Sequence, residues 1–208
     1  MRQSVGVVSL AVFVSAFPQQ RAAPAKRLEQ ALTVRADPPK LIPVVVGGPQ
    51  DLFVPNQIKA NVGDVVQFQF SNGNHTVTQS TEKAGCQPLQ AANPQAVHSG
   101  HIPFIAGQKD VGTFIMPVTS TDAMFLYCAT GPHCQTGQVM VVNPTSDTQL
   151  ANYVKVSMAA KKNVDGAGFS GGIPARMPLA AALFTPAPPE QKSPPATPPS
   201  NQKASKLG

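Results

Sequence analysis

An all-β sandwich is the fold class predicted for residues 40–145, and three observations predict it. Short apolar or alternating runs recur there between Gly, Pro and Asn punctuation, the pattern of a sandwich or barrel of antiparallel strands. A span of about 100 residues is enough to close one such core. Beyond it, from Gly166 onward, Gly, Pro, Ala and Ser dominate, a composition that cannot bury a core of its own.

The elements follow in chain order. Arg2 precedes the apolar run Val5-Gly-Val-Val-Ser-Leu-Ala-Val-Phe-Val14, and Val14-Ser15-Ala16 supplies small residues, so residues 1–16 are expected to be a cleaved secretory signal. The run is shorter than the roughly 20 apolar residues of a spanning helix. Residues 17–39 are polar, basic and interrupted by Pro, which suits a propeptide or linker. Strands are predicted at 44–46, 65–70, 76–79, 113–118, 124–127 and 139–142. Residues 146–162 are predicted to hold a helix, with Ser146 or Asp147 as cap and Leu150, Val154 and Met158 on one face. Residues 163–208 are expected to be a disordered Gly/Pro-rich tail, an extended linker or O-glycosylated stalk. The chain ends Lys203-Ala-Ser-Lys-Leu-Gly208, unlike the hydrophobic tail of a lipid-anchor signal. A secreted, extracellular protein without a membrane span is the expectation.

Charge separates the sandwich from its flanks. The net +6 divides into +3 for residues 1–39, −1 for residues 40–144 and +4 for residues 145–208. The basic character therefore belongs to the flanks. Nucleic-acid binding would require a clustered basic face or a recognisable module, and the sequence shows neither. A basic tail could adhere to anionic cell-wall polysaccharide.

The chemistry concentrates in Cys128-Ala-Thr-Gly-Pro-His133-Cys134-Gln-Thr-Gly-Gln138. Type 1 copper sites place two His and one Cys in a trigonal plane, with a weak, long axial Met or Gln. This stretch supplies three of the four donors: Cys128, His133 and Gln138. The second histidine is expected to be His75, in Asn74-His75-Thr76-Val77 just past the strand-like run 65–70. Strand alternation puts Met124, Leu126 and Cys128 on one face and Phe125 and Tyr127 on the other. The Gly131-Pro132 pair can then turn His133 back toward the thiol. Met140 shares a face with Gln138 and is the rival axial donor, although Met is more often core filling. His98 and His101 could form a second metal pair, but two His fall short of the three or four donors a site needs. Three cysteines leave one thiol over after a single disulfide, and three pairings of Cys86, Cys128 and Cys134 are open.

Gly47-Gly48, Phe53-Val-Pro55, Gly63-Asp-Val-Val66 with Phe68 and Phe70, Asn74-His-Thr-Val-Thr-Gln79, Gly85-Cys86-Gln-Pro88, Tyr127-Cys128, His133-Cys134 with Gly137, and Val142-Asn143-Pro144 occur in this order. Together they resemble the cupredoxin domain of fungal extracellular proteins, itself similar to plant phytocyanins of the stellacyanin type. The resemblance covers about half the chain. It implies a Greek-key sandwich, one type 1 copper, His75, Cys128 and His133 as equatorial ligands, and Gln138 in the axial place. Gln138 departs from the Met of the fungal pattern toward the stellacyanin one, and His101 stands where Ser-Gly-Phe is usual. With Cys128 as the copper thiolate, Cys86 to Cys134 is the disulfide left, and the phytocyanin resemblance implies the same pairing. The sequon Asn74-His75-Thr76 overlaps a ligand and is expected to stay unglycosylated.

The functional expectation is a secreted one-electron carrier, the alternative a copper-holding or cell-wall protein without redox work. No enzyme is expected. The oxygen-reducing cluster of a multicopper oxidase needs many more histidines than the four present, and no His-x-His pair occurs.

Overall fold

Strand formation in the computed structural model, which describes residues 38–186, follows the alternation of the sequence. Among these residues one sheet holds, side by side, β11 (Ile173–Pro178), β8 (Asp110–Pro117), β4 (Val65–Phe70), β1 (Leu41–Gly47) and β2 (Leu52–Val54). The other holds β3 (Gln57–Ile58), β10 (Val139–Val142), β9 (Met124–Tyr127) and β6 (Thr78–Ser80), and a ribbon pairs β5 (Gly73–His75) with β7 (Ile102–Phe104). The chain crosses from β4 to β6, back to β8 and over again to β9, so the two sheets form the sandwich the sequence predicts. Two neighbouring pairs run parallel, β1 with β4 and β3 with β10. They depart from a purely antiparallel pattern because β2 and β3 carry the chain to the other sheet before it re-enters the first in the same direction.

Period-two burial builds the core. Val44 and Val46 of β1, Val66, Phe68 and Phe70 of β4, and Phe114 and Met116 of β8 meet Leu126 of β9 and Met140 and Val142 of β10. Burying each such side chain contributes about 1.5–3 kcal/mol before entropy is counted. Phe125 and Tyr127 point the other way, as alternation predicts, into a second cluster with Val139 and Val141. The helix α1 (Gln149–Met158) covers that face. Its Tyr153 ring lies 5.1 Å from Phe125 at 63°, and its hydroxyl is 2.6 Å from Ser80 Oγ.

The helix differs in detail from the sequence reading. Gln149, Tyr153 and Ser157 form the buried stripe, Leu150 and Val154 flank it, and Met158 is 58 % exposed. Tyr153 offers more area than Met158 and sets the rotation. Thr148, not Ser146 or Asp147, is the cap residue, and its hydroxyl makes no capping bond to the helix backbone, bonding Ser146 Oγ at 3.3 Å instead.

A larger difference lies downstream. Residues 173–178, expected in a disordered tail, all pair antiparallel with residues 110–115 of β8. The strand is almost entirely exposed and carries Pro174 and Pro178, so it shows no alternation to read; Pro is tolerated because it is an edge. Phe184 then packs edge-on to Phe104, 5.5 Å between ring centres. The predicted signal (1–16), nearly all of the predicted linker (17–39) and the Pro-rich end of the tail lie outside the described residues. Among the described residues no helix is long and apolar enough to cross a membrane.

Asp64 ties the start of the sandwich together. Its carboxylate oxygens accept the backbone N–H groups of Lys40 and Asn61, each at 2.8 Å. The Asn61 and Lys40 N–H bonds hold its pKa below the ordinary 3.8. A lowered folded value means the contribution is present above 3.8 and lost as pH falls through the folded value. Urea unfolding across an acid pH series is expected to show that loss in the wild type, whereas Asp64→Asn starts less stable at neutral pH and has a flatter acid limb.

Candidate metal centre

Four side chains converge at one end of the sandwich. His75 closes β5, Cys128 follows β9 directly, and Gln138 precedes β10. His133 sits on the loop between Cys128 and Gln138, whose ends are pinned where Cys128 N–H donates to Gln138 O (3.0 Å) and Gln138 N–H to His133 O (2.8 Å). His75, Cys128 and Gln138 are fully buried, and the His133 side chain is 19 % exposed. Cys128 Sγ lies 3.5 Å from His133 Nδ1 and 3.8 Å from His75 Nδ1. The three donor atoms of His75, Cys128 and His133 fall within 4.8 Å of one another.

Hydrogen bonding fixes which atoms face inward. The Asn72 carbonyl accepts from His75 Nε2 at 2.9 Å, which leaves the lone pair on Nδ1. That Nδ1 is 3.1 Å from Gln138 Oε1, and the Gln138 amide is oriented by its Nε2 donating to Leu52 O at 3.4 Å. Two acceptors therefore face each other at hydrogen-bonding distance beside a buried sulfur. Only a cation relieves that contact: a proton in the metal-free protein, a metal ion in the loaded one. The residues fit copper, since a thiolate, two imidazoles and a weak oxygen donor are the type 1 set. Met140, the rival axial donor, is packed in the sandwich core.

The surroundings hold these donors in place. Gly47 and Gly73 both have φ near +103°, and a Cβ on either would meet His75 Nε2 at 2.5 or 2.9 Å; the imidazole is seated against two backbones that only glycine leaves open. Cys86 and Cys134 form the disulfide, leaving Cys128 as a free buried thiol. Closing that loop contributes about 4 kcal/mol on the chain-entropy model. It also anchors the residue next to His133.

Residues beyond the four donors also shape the site, and one of them, Asn163, carries no signal in the sequence. Asn163 Nδ2 donates to the carbonyls of Cys128, Gly131 and Thr130 at 3.0, 2.8 and 3.4 Å, clamping the ligand loop from a segment expected to be tail. Thr76 N–H donates to Cys128 Sγ at 3.4 Å, while Thr76 Oγ1 accepts from Ala129 N–H at 2.7 Å. His101 replaces an expected Phe with a polar link: Nε2 is 2.8 Å from Asp165 Oδ2, and Nδ1 is 3.1 Å from Thr130 Oγ1. His98 bonds Thr78 Oγ1 at 3.0 Å and faces the other oxygen of Asp165 at 3.6 Å. His98 and His101 thus share a carboxylate and belong to no metal-like cluster among the described residues. Gly168-Phe-Ser-Gly-Gly172 has the spacing of a hydrolase nucleophile elbow, but Ser170 Oγ bonds Gln90 and the Ala96 carbonyl and its backbone bridges to His98.

No protein-family model matches the chain. Two curated proteins of Arthroderma benhamiae do. One, an "Extracellular serine-rich protein", is 36% identical over 113 residues, 54% of this chain and 43% of that protein, so the chain spans less than half its length. The other, a "Probable GPI-anchored cupredoxin-1", is 31% identical over 160 residues, 70% of this chain and 81% of that protein. Solved structures give slighter likenesses: a plastocyanin from Dryopteris crassirhizoma (19% identity, 48% of this chain and 96% of that one, TM-score 0.34) and a purple cupredoxin from Nitrosopumilus maritimus (11%, 49% and 96%, 0.33).

Burial alone would push the Cys128 thiol up, but hydrogen bonds from His133, His75 and the Thr76 and Thr130 backbones outweigh it and bring the pKa down to about 6. Because the folded value lies below the ordinary 9.0, ionisation stabilises the metal-free fold fully above 9.0, and the contribution is lost as pH falls through about 6. Ultraviolet thiolate absorbance of the metal-free protein is expected to titrate near 6 and to move up in His133→Asn. A wild-type midpoint near 9.0 would contradict the geometry.

Proposed function

We propose, from the premise that the chain belongs to the cupredoxin family, that it is a blue copper protein with one type 1 site and an extracellular one-electron carrier, not an enzyme, with His75, Cys128 and His133 as equatorial ligands and Gln138 as the axial one. The observation that carries the reading is the facing of His75 Nδ1 and Gln138 Oε1 across 3.1 Å beside the Cys128 sulfur. Copper, when bound, supplies a couple between Cu(II) and Cu(I). Every other part of the work falls to the chain.

Cys128 presents a thiolate shielded from water. His75 and His133 present Nδ1, their outer nitrogens turned away from the sulfur. Fast electron exchange requires donors that stay put when the charge changes, because any rearrangement adds to the barrier. The glycine seat under His75, the disulfide and the Asn163 clamp all restrict such movement. His133 is the only one of the four residues that reaches solvent, so its edge is the route for an electron. An extracellular setting agrees with the name of the serine-rich relative and with a disulfide that a reducing compartment would not maintain.

Gln138 in the axial place is the stellacyanin-like feature of the proposal. An amide oxygen is a harder donor than a thioether and favours the more highly charged Cu(II), and the axial ligand is an established lever on potential. Protein-film voltammetry of the copper-loaded protein is expected to show a fast, reversible one-electron couple, and Gln138→Met to raise its potential. Slow, irreversible cycling would overturn the carrier; an unchanged potential with copper retained would remove Gln138 from the site.

A further inference from the structure

We propose that Asp51 tunes the copper site and selects its partner: its carboxylate spans the outer nitrogens of both histidines, lowers the reduction potential, and directs the His133 edge toward one-electron partners whose docking face is cationic. The inference rests on the carrier reading above.

Asp51 lies on the turn between β1 and β2, far in sequence from the ligand loop. One carboxylate oxygen, Oδ1, is 3.6 Å from His75 Nε2, and the other, Oδ2, is 3.7 Å from His133 Nε2. Each ring thus has its own oxygen. The backbone that achieves this has φ 48°, the left-handed region that few residues other than Gly, Asn and Asp enter, and Asp51 N–H closes the turn on Gly48 O at 3.3 Å. His75 commits its Nε2 proton to Asn72 O. For His133, whose edge is the electron route, Asp51 is the group facing the outer nitrogen.

Two consequences follow from that placement. A carboxylate facing the remote N–H of a metal-bound imidazole makes the imidazole a stronger donor, and a nearby negative charge favours the oxidised, more positive state; both lower the potential. The Asp51 side chain is also 45 % exposed, so its charge is presented to whatever docks at His133. The neighbouring segments, Gly48-Pro-Gln50, Asn72-Gly-Asn74 and Ala129-Thr-Gly-Pro132, contain no Lys, Arg, Asp or Glu. Within these segments nothing offsets the carboxylate, and a partner with positive charge at its contact face is attracted while an anionic one is repelled. The transfer moves one electron between partner and site and makes or breaks no covalent bond.

A purely local role, as a polar residue that tolerates the turn, predicts no electronic effect. Asp51→Asn separates the two, since Asn accepts the same backbone and removes only the charge. With copper bound and the thiolate-to-copper absorption intact, Asp51→Asn is expected to raise the potential. It should also lower the ratio of the rates with a cationic cobalt tris-chelate and with anionic hexacyanoferrate, by roughly tenfold at low salt. Asp51→Glu, which keeps the charge, should retain the cationic preference; should Asp51→Asn fold poorly, Asp51→Ser repeats the measurement. An equal potential and an equal rate ratio in a blue Asp51→Asn protein would overturn the role of Asp51 and leave the carrier reading standing. A wild type without thiolate-to-copper absorption would overturn both.

Discussion

A sulfur buried to complete exclusion of solvent between two imidazoles is the constraint on which the rest of the site depends. Cys128 and His75 are fully covered, so no water can screen or satisfy their polar atoms. An unpaired acceptor in such surroundings is costly, and here three acceptors, the sulfur, His75 Nδ1 and Gln138 Oε1, crowd together. Their mutual tolerance requires positive charge at the centre. The same crowding is felt in the metal-free protein, where both histidines are shifted up: for His75 burial pushes down but the bonds to Cys128 and Asn72 outweigh it, and for His133 the bond to Cys128 is the leading cause. Copper is the ion whose preferred donors match the same set.

Holding acceptors together against their repulsion is a task for the whole fold. The sandwich supplies rigid strand ends: β5 carries His75, β9 delivers Cys128, and β10 begins just after Gln138. Loops between strand ends are the mobile part of such a fold, and the Cys128–His133 loop is restrained from three sides. The disulfide fixes Cys134, Asn163 gathers three loop carbonyls, and His101 links Thr130 to Asp165. The last two restraints come from the segment after α1, so the helix that covers the second sheet also directs the chain back over the site. Asp51 approaches the outer nitrogens of both histidines from the turn that opens β2.

Legibility in the sequence tracked locality. The strands with one face in the core alternate visibly, and β9 places Leu126 and Phe125 in opposite clusters as alternation demands. Cys128, His133 and Gln138 lie within eleven residues, and His75 sits in a short motif of its own, so their convergence could be expected from spacing and resemblance. Asn163 and Asp51 could not: each acts across a distance in sequence with no periodic pattern, and an isolated Asn or Asp resembles any turn residue. β11 was invisible for a related reason. It buries almost nothing, so its pairing with β8 rests on backbone hydrogen bonds to which the side chains bear no witness. Tyr153 displaced the predicted helical face because one large ring outweighs a tidy three-residue stripe.

The most direct measurement is the combined visible absorption and electron spin-resonance spectrum of the protein loaded with Cu(II). A copper held by Cys128, His75 and His133 produces an intense thiolate-to-copper absorption band and a copper hyperfine splitting narrowed by spin shared with the sulfur. A faint band and the wide splitting of ordinary nitrogen and oxygen coordination would show that Cys128 is not a ligand and would contradict the type 1 assignment.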